Sequence, residues 1–475
     1  MTIYEKILCF VSFLSEENKK RLVECVDSPF FNTHENLSEW VKGLLIFEDK
    51  LKGEEPWEEA YFWEVIFPNQ EFSIHRKYRL YRKVVVLLED FLVTTQALDS
   101  FFYRKKTLIN YYMEHQCHEL AQEEIGQYEA KLRKVAVHDT FYLDAAIEIE
   151  GLKVTQSWQF EQRGKFPTAL FSPLIKALDN YYYAYRLQLC AHLQYIEGMQ
   201  LSKDNIYYIQ HTLSQIEQNI TIWVFPHVQA YYYLVKMFQT STDFSQKIIA
   251  VISKHEQEFP LTELTSIYAR LRGFYTFEAQ KGDKDALSTI YNLYKTSIEK
   301  GWVYDQHGYI IPNVFLNFLQ YSIYFYQNPD FLPQLIEEYS SKIAPTAQES
   351  CLLIAEAIAA FVGKNYELVL YNVRTAKMLD VMISLKVRRL EMKTYFEMGD
   401  IDSLTNSVNT FRVFIQRCEN LQKHIVQANR NFASEVYHLL NAAHIGTAIS
   451  KKAEIRLKKM DFLVEYWWLK EKWKC

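Results

Sequence analysis

Apolar residues recur at steps of three and four along most of the chain, and short polar interruptions separate the periodic stretches. That period predicts helices on almost every stretch. The pattern is clearest over residues 349–421. Residues 350–362 are apolar and Ala-rich and end at Gly363-Lys364-Asn365. Residues 366–379 and 381–398 read as the next two helices, Gly399-Asp400 breaks the pattern again, and 401–418 reads as a fourth. Tyr366 and Ile401 follow corresponding breaks 35 residues apart, and Phe331, after Asn328-Pro329-Asp330, lies 35 residues further upstream. A recurring two-helix unit of this length predicts a helical solenoid, in which each unit buries its apolar face against its neighbours.

Outside that stretch the rhythm is looser. Residues 1–95 read as a distinct N-terminal helical region. Two short helices there run into Ser28-Pro29-Phe30-Phe31-Asn32, a turn in which Phe30 and Phe31 are expected to anchor in a core. Asn32 or Thr33 is placed to cap a helix over 34–48, and Ser73 to cap one through Phe91. Gly53-Glu54-Glu55-Pro56 is the clearest polar break. Helical pairs are expected over 96–420, with a loop at 162–167, and capping helices over 421–475. Residues 173–197 carry one core stripe (Ile175, Leu178, Tyr182, Tyr185, Leu189, Leu193, Ile196) and a second (Ala177, Tyr181, Ala184, Ala191, Tyr195). The first stripe predicts that Leu178, Tyr182, Leu189 and Leu193 are buried. Residues 449–473 read as one last helix with two apolar stripes, suited to closing the open end of a repeat array.

Composition supports long helices. Only 13 Gly and 11 Pro occur in 475 residues, well under the roughly 7% and 5% of ordinary chains. Helix is therefore expected to exceed about 70% of the chain. The 34 Tyr and 31 Phe suit the irregular gaps between helices of a degenerate repeat. The seven cysteines are scattered with no C-x-x-C, as expected of reduced thiols in a cytoplasmic protein. The apolar run at 7–14 lacks the flanks of a signal peptide. Residues 306–329 carry no charge, but Asn313, Asn317 and Gln320 form a polar stripe, so an amphipathic helix is expected rather than a membrane span.

Several chemistries lack their motifs. Gly164-Lys165 and Gly363-Lys364 fail the phosphate-loop pattern, and neither G-x-G nor G-x-S-x-G occurs. His118-Glu119 lacks the second histidine of a zinc helix, with Gln122 in its place. Glu435-x-x-His438 is the one Glu-x-x-His and reads as a helix-surface pair. No cofactor is expected, and a non-enzymatic role is expected with it. The net charge of −5 gives no general nucleic-acid signal. Residues 76–106 nevertheless hold eight bases (Arg76, Lys77, Arg79, Arg82, Lys83, Arg104, Lys105, Lys106) against three acids. Either a phosphate or acidic partner, or the internal acids Glu54, Glu55, Glu58 and Glu59, accounts for them.

Tyr395, Gly399, Ile401, Leu404, Val408 and Phe411, with Tyr366, Val373 and Ala376 in the preceding unit, fall at the spacings of a tetratricopeptide repeat. The chain resembles that family, with Leu404 and Val369 replacing its usual Ala and its closing Pro absent. Ser28-Pro29-Phe30-Phe31-Asn32 and Leu178-Asp179-Asn180-Tyr181-Tyr182 also resemble a group of uncharacterised bacterial all-helical proteins. The expected fold is all-α: a right-handed helical-pair, tetratricopeptide-like solenoid after a distinct N-terminal region. The resemblance implies a protein- or peptide-binding scaffold that uses a concave groove. Asn313, Asn317, Gln320, Glu356, Arg388 and Lys393 are the polar groove candidates and Tyr324 the stacking surface. The alternative is a nucleic-acid-binding protein that uses the 76–106 patch.

Overall fold

The structure, a computed structural model, describes the chain except residues 1–2, 33–34, 47–58, 69–72, 161–167, 198–200, 219–222, 306, 327–330, 419–420, 443–446, 461 and 475. Helices make up 83% of the described residues. An isolated bridge between Tyr304 and Ile310 is the one β feature among them. None of the described helices is long and apolar enough to cross a membrane. Thr33, the break at 53–56, the loop at 162–167, Asn328-Pro329-Asp330 and the side chains of Tyr195 and Ile196 lie outside the described residues.

The chain forms two compact units. The first comprises residues 1–131 and 152–167. It contains α1 (Ile3–Ser12), α2 (Glu16–Asp27), α3 (Glu35–Ile46), α4 (Glu59–Ile66), α5 (Ile74–Asp99), α6 (Phe101–Glu114), α7 (His118–Leu132) and the C-terminal part of α8 (Thr140–Phe160). The N-terminal helices gather on α5, which contacts α1, α2, α3 and α6. Ile7, Leu22, Trp40, Val84 and Leu88 form its core. Ser15 caps α2 by accepting from the Asn18 amide, 3.2 Å away. Ser73 precedes α5 in extended conformation, but its hydroxyl makes no capping bond. The Ser28 turn forms, with the Phe31 and Asn32 amides donating to the Ser28 carbonyl. Its two rings do not anchor it: Phe30 is 87% exposed and Phe31 lies at its edge. The Asn32 side-chain amide secures the turn instead, donating to the Val26 carbonyl at 2.8 Å.

The second unit comprises residues 132–151 and 168–475. After the start of α8 come α9 (Phe171–Glu197), α10 (Lys203–Gln218), α11 (Pro226–Thr240), α12 (Ser245–His255), α13 (Leu261–Gln280) and α14 (Asp285–Glu299). They are followed by α15 (Pro312–Tyr326), α16 (Leu332–Ser340), α17 (Pro345–Val362), α18 (Tyr366–Thr375), α19 (Val381–Met398) and α20 (Ile401–Arg417). The chain closes with α21 (Lys423–Leu440), α22 (Thr447–Lys459) and α23 (Tyr466–Lys472). Most of these helices pack on the next in sequence, and α9 on α11, α11 on α13, α15 on α17 and α17 on α19 pack across one. Gly399 ends α19 at φ 72°, a left-handed conformation that glycine adopts without steric cost.

Two expectations about helix faces and continuity need correction. On α9, Leu178, Tyr182 and Leu189 are each about half exposed, and Leu193 is only partly covered. The buried residues among those described are Ala184, Leu187, Cys190, Ala191 and Gln194. The buried face is centred on Leu187 and Cys190, outside both predicted stripes, with Ala184 and Ala191 of the second stripe at its edge, and the stripe of larger side chains is left outside. At the C-terminus, residues 449–473 are not one helix. The chain breaks between α22 and α23 without glycine or proline, and Glu465 at φ 58° opens the second piece.

Candidate functional site

Helix α19 carries Lys386, Arg389 and Lys393 at steps of three and four, so the three share one face. Helix α15 carries Asn317, Gln320 and Tyr324 at the same steps. Both sets meet the stretch that leads into α23. Lys393 Nζ donates to Glu465 Oε2 at 2.7 Å, and Arg389 Nε lies 3.4 Å from Glu465 Oε1. Gln320 Nε2 lies 3.5 Å from the same oxygen. Lys386 Nζ donates to Asn317 Oδ1 at 2.6 Å, and Arg389 also donates to Asn429 Oδ1 of α21 at 2.7 Å. The Glu465 side chain is 4% exposed, and those of Arg389 and Lys393 are 11% exposed.

One buried carboxylate thus pairs with Arg389 and Lys393, and Lys386 lies on the same helix face, bound to Asn317. Burial raises the Glu465 pKa, but Lys393 and Arg389 outweigh it and bring the group from 4.5 down to about 2. Among the described residues Lys386 has an amide oxygen as its direct acceptor, and burial together with repulsion from Arg389 lowers it from 10.5 to about 7, against attraction from Glu465. Glu465 also holds a left-handed backbone conformation, which costs a non-glycine residue on the order of 1–2 kcal/mol. The ion pairs offset that strain and tie the segment down.

The rest of the segment is held from several helices. The Leu463 amide lies 3.5 Å from Gln280 Oε1 at the end of α13, and Asn431 of α21 donates to the Phe462 carbonyl at 2.6 Å. Trp468 Nε1 donates to Glu397 at 2.9 Å, and Lys472 pairs with the same carboxylate. The Tyr466 hydroxyl sits 3.4 Å from where a Cβ on Gly282 would lie, so a side chain there would press on the ring. Two cavities flank Glu465 and Trp467. One, of about 130 Å³, lies beside Thr276, Tyr321 and Arg389. The other, of about 230 Å³, lies beside Tyr324, Phe361, Lys386 and Lys393. Trp467 Nε1 is buried between them with no acceptor among the described residues.

Of the groove candidates, Asn317, Gln320, Tyr324 and Lys393 come together here. Asn313, half-buried in the first turn of α15, is not among the contacts to Glu465. Arg388 is offset by one residue from the cationic face, and its guanidinium lies 4.5 Å from the Phe414 ring of α20. Arg389 takes the place assigned to it. Glu356 accepts from Asn372 of α18 at 3.3 Å instead. Lys386, Arg389 and Glu465 were missed. The i, i+3, i+7 spacing of the cations was legible, whereas nothing local distinguishes Glu465 from the other acids of a Lys-rich tail.

The basic patch lies on α5 and α6. Arg76, Arg79, Arg82, Lys83 and Arg104 are exposed. Lys77 is buried over the Tyr78 and Tyr81 rings, 5.0 and 5.8 Å from their centroids, and Lys105 pairs with Glu124 of α7. Lys106 is partly covered. The side chains of Glu54, Glu55, Glu58 and Glu59 lie outside the described residues. Glu435 and His438 are not a surface pair: Glu435 is fully buried and bound through both oxygens by Arg456 of α22.

Sequence reading also missed a histidine cluster assembled from positions far apart in the chain. His255 Nδ1 and His138 Nδ1 lie 2.7 and 3.3 Å from the two oxygens of Glu258. His227, stacked between Phe225 and Phe259, lies 3.9 Å from Glu263. Burial lowers His227 to about 3 and raises Glu263 to about 7, so the imidazole is neutral near pH 7 and the contact is a packing feature rather than a salt bridge. No cluster of His, Cys, Asp and Glu fit for a metal occurs among the described residues. In comparisons with known proteins, the chain matches no family model, no curated protein and no solved structure.

Proposed function

We propose that this chain is a non-enzymatic scaffold that binds a protein or peptide segment on a tetratricopeptide-like, right-handed array of helical pairs, with α13, α15 and α19 forming the binding wall. One observation carries this reading. A non-helical stretch of polypeptide, residues 462–465, is gripped through both backbone and side chain by groups from α13, α15, α19 and α21. Long polar side chains projecting from packed helices are well placed to hold an extended backbone. Packing of successive helices, and of alternate ones, supports the repeat architecture. A cytoplasmic setting suits the six cysteines that are free thiols among the described residues.

The test is a peptide-display selection on the full-length chain, run in parallel on a Gln320→Ala/Lys393→Ala chain of matched thermal stability. Peptides enriched on the former and not on the latter support the reading. Enrichment that ignores the two substitutions contradicts it.

A second reading, contact with nucleic acid, rests on the exposed arginines of α5 and α6. It requires binding that weakens steeply with salt and is lost in an Arg76→Ala/Arg79→Ala/Arg82→Ala chain.

A further inference from the structure

We infer that residues 462–473 act as an internal ligand, and that the external partner of this site is a segment with a carboxylate followed by aromatic residues and at least one further acid. The inference rests on the peptide-binding reading above and names the chemistry of the partner.

The chain's own segment fits the site incompletely in three respects. It supplies one carboxylate, Glu465, to a face that presents Lys386, Arg389 and Lys393. The other acid beside the larger cavity, Glu471, has a side chain 72% exposed and pairs with Lys472. Lys386 is left to the amide oxygen of Asn317, although it borders the same 230 Å³ cavity as Lys393. Trp467 enters between the two cavities without an acceptor for its indole N–H among the described residues. Glu465, finally, reaches its partners only through a left-handed backbone conformation.

An incoming segment that supplies a second carboxylate to Lys386 pairs a buried cation that Glu465 leaves to a neutral acceptor. It is also free of the linkage to α22 that constrains residues 462–465. Aromatic side chains after the first acid take the positions of Tyr466, Trp467 and Trp468 against Gly282, the paired cavities and Glu397. Fixed, desolvated cations discriminate strongly, because a segment without acids leaves them unpaired.

The experiment uses full-length chains and a fluorescent peptide of residues 462–474, synthesised with heavy leucine. The expected result is weak binding to the wild-type chain and at least tenfold tighter binding to a Glu465→Gln chain, whose own segment is loosened. A peptide carrying Gln at the position of Glu465 loses that affinity. A scan placing Glu at each other peptide position is expected to find one that gains at least tenfold, and that gain disappears on a Lys386→Met chain. If the Glu465→Gln chain fails to fold, hydrogen exchange on the wild-type chain decides. Excess peptide must then accelerate exchange in residues 462–473 of the chain itself, distinguished from the probe by isotope mass.

A folded Glu465→Gln chain with unchanged peptide affinity overturns the inference, as does a Glu scan without a Lys386-dependent gain. So does a segment that stays protected under saturating peptide. Display peptides that depend on Gln320 and Lys393 but lack the acid–aromatic pattern overturn the inference alone and leave the binding reading standing. Failure of both library and segment peptide removes both.

Discussion

Glu465 holds a left-handed backbone and a buried carboxylate at once, and the two have opposite effects on stability. Removing the carboxylate leaves Arg389 and Lys393 buried and uncompensated. Glu465→Ala is therefore expected to destabilise the C-terminal part of the second unit by on the order of 3–5 kcal/mol, read from hydrogen exchange at residues 463–469. The same group sets an acid limit. Its folded pKa of about 2 lies below the ordinary 4.5. Its contribution is therefore fully present above pH 4.5 and is lost as pH falls toward 2, about 3 kcal/mol across that window. Lys386 acts in the other direction. Its folded pKa of about 7 lies below the ordinary 10.5, so the unfolded chain binds the extra proton between those values and stability rises with pH there. Below pH 7 the penalty is complete. Lys386→Met is thus expected to raise the neutral-pH stability of the second unit by on the order of 2–4 kcal/mol and to remove the rise between pH 7 and 10.5. A denaturation series over that range measures both effects, and a destabilised Lys386→Met chain contradicts the account.

At the scale of the element, α9 shows where periodicity misleads. Its two stripes are both apolar, and periodicity alone does not say which one meets the neighbours. The stripe with larger side chains looks like the stronger core signal, yet the buried face is centred on Leu187 and Cys190, outside both stripes, and takes only Ala184 and Ala191 from the second. Leu187, fully buried, and Leu189, 46% exposed, make a direct comparison. Leu187→Ala is expected to cost on the order of 2–5 kcal/mol, and Leu189→Ala less than about 1 kcal/mol. Equal losses in thermal melts contradict this assignment of faces. Other boundaries were more legible: residues 381–398 form a helix with the expected ends, and the helices expected over 401–418 and 366–379 end at Arg417 and Thr375. The α22–α23 break was not. It carries no glycine or proline, and it brings Glu465 to cations on α19 that lie 72 and 76 residues earlier in sequence. Gly399, by contrast, was recognisable as a turn residue. Gly399→Ala is expected to cost about 1 kcal/mol, because alanine at φ 72° is strained.

Over the whole molecule, the all-helical class was written plainly in few glycines, few prolines and a period between three and four. The division into two units was harder to see, because the helical rhythm does not change where the units divide. The candidate site was half legible. The polar stripe of Asn313, Asn317 and Gln320 on α15 pointed to two of its residues, Tyr324 was named beside it as a stacking surface, and Lys393 was recognised on α19. What completes the site comes from a tail that reads in isolation as one amphipathic helix. The central claim is that this polar face recognises an acidic–aromatic segment and is occupied by the chain's own copy of one. The most direct measurement is a crystal structure of the full-length chain with the tightest peptide from the Glu scan. The account predicts the peptide carboxylate between Arg389 and Lys393, a second acid at Lys386, and residues 462–473 displaced. A peptide bound elsewhere, with Glu465 still paired to Lys393, contradicts it.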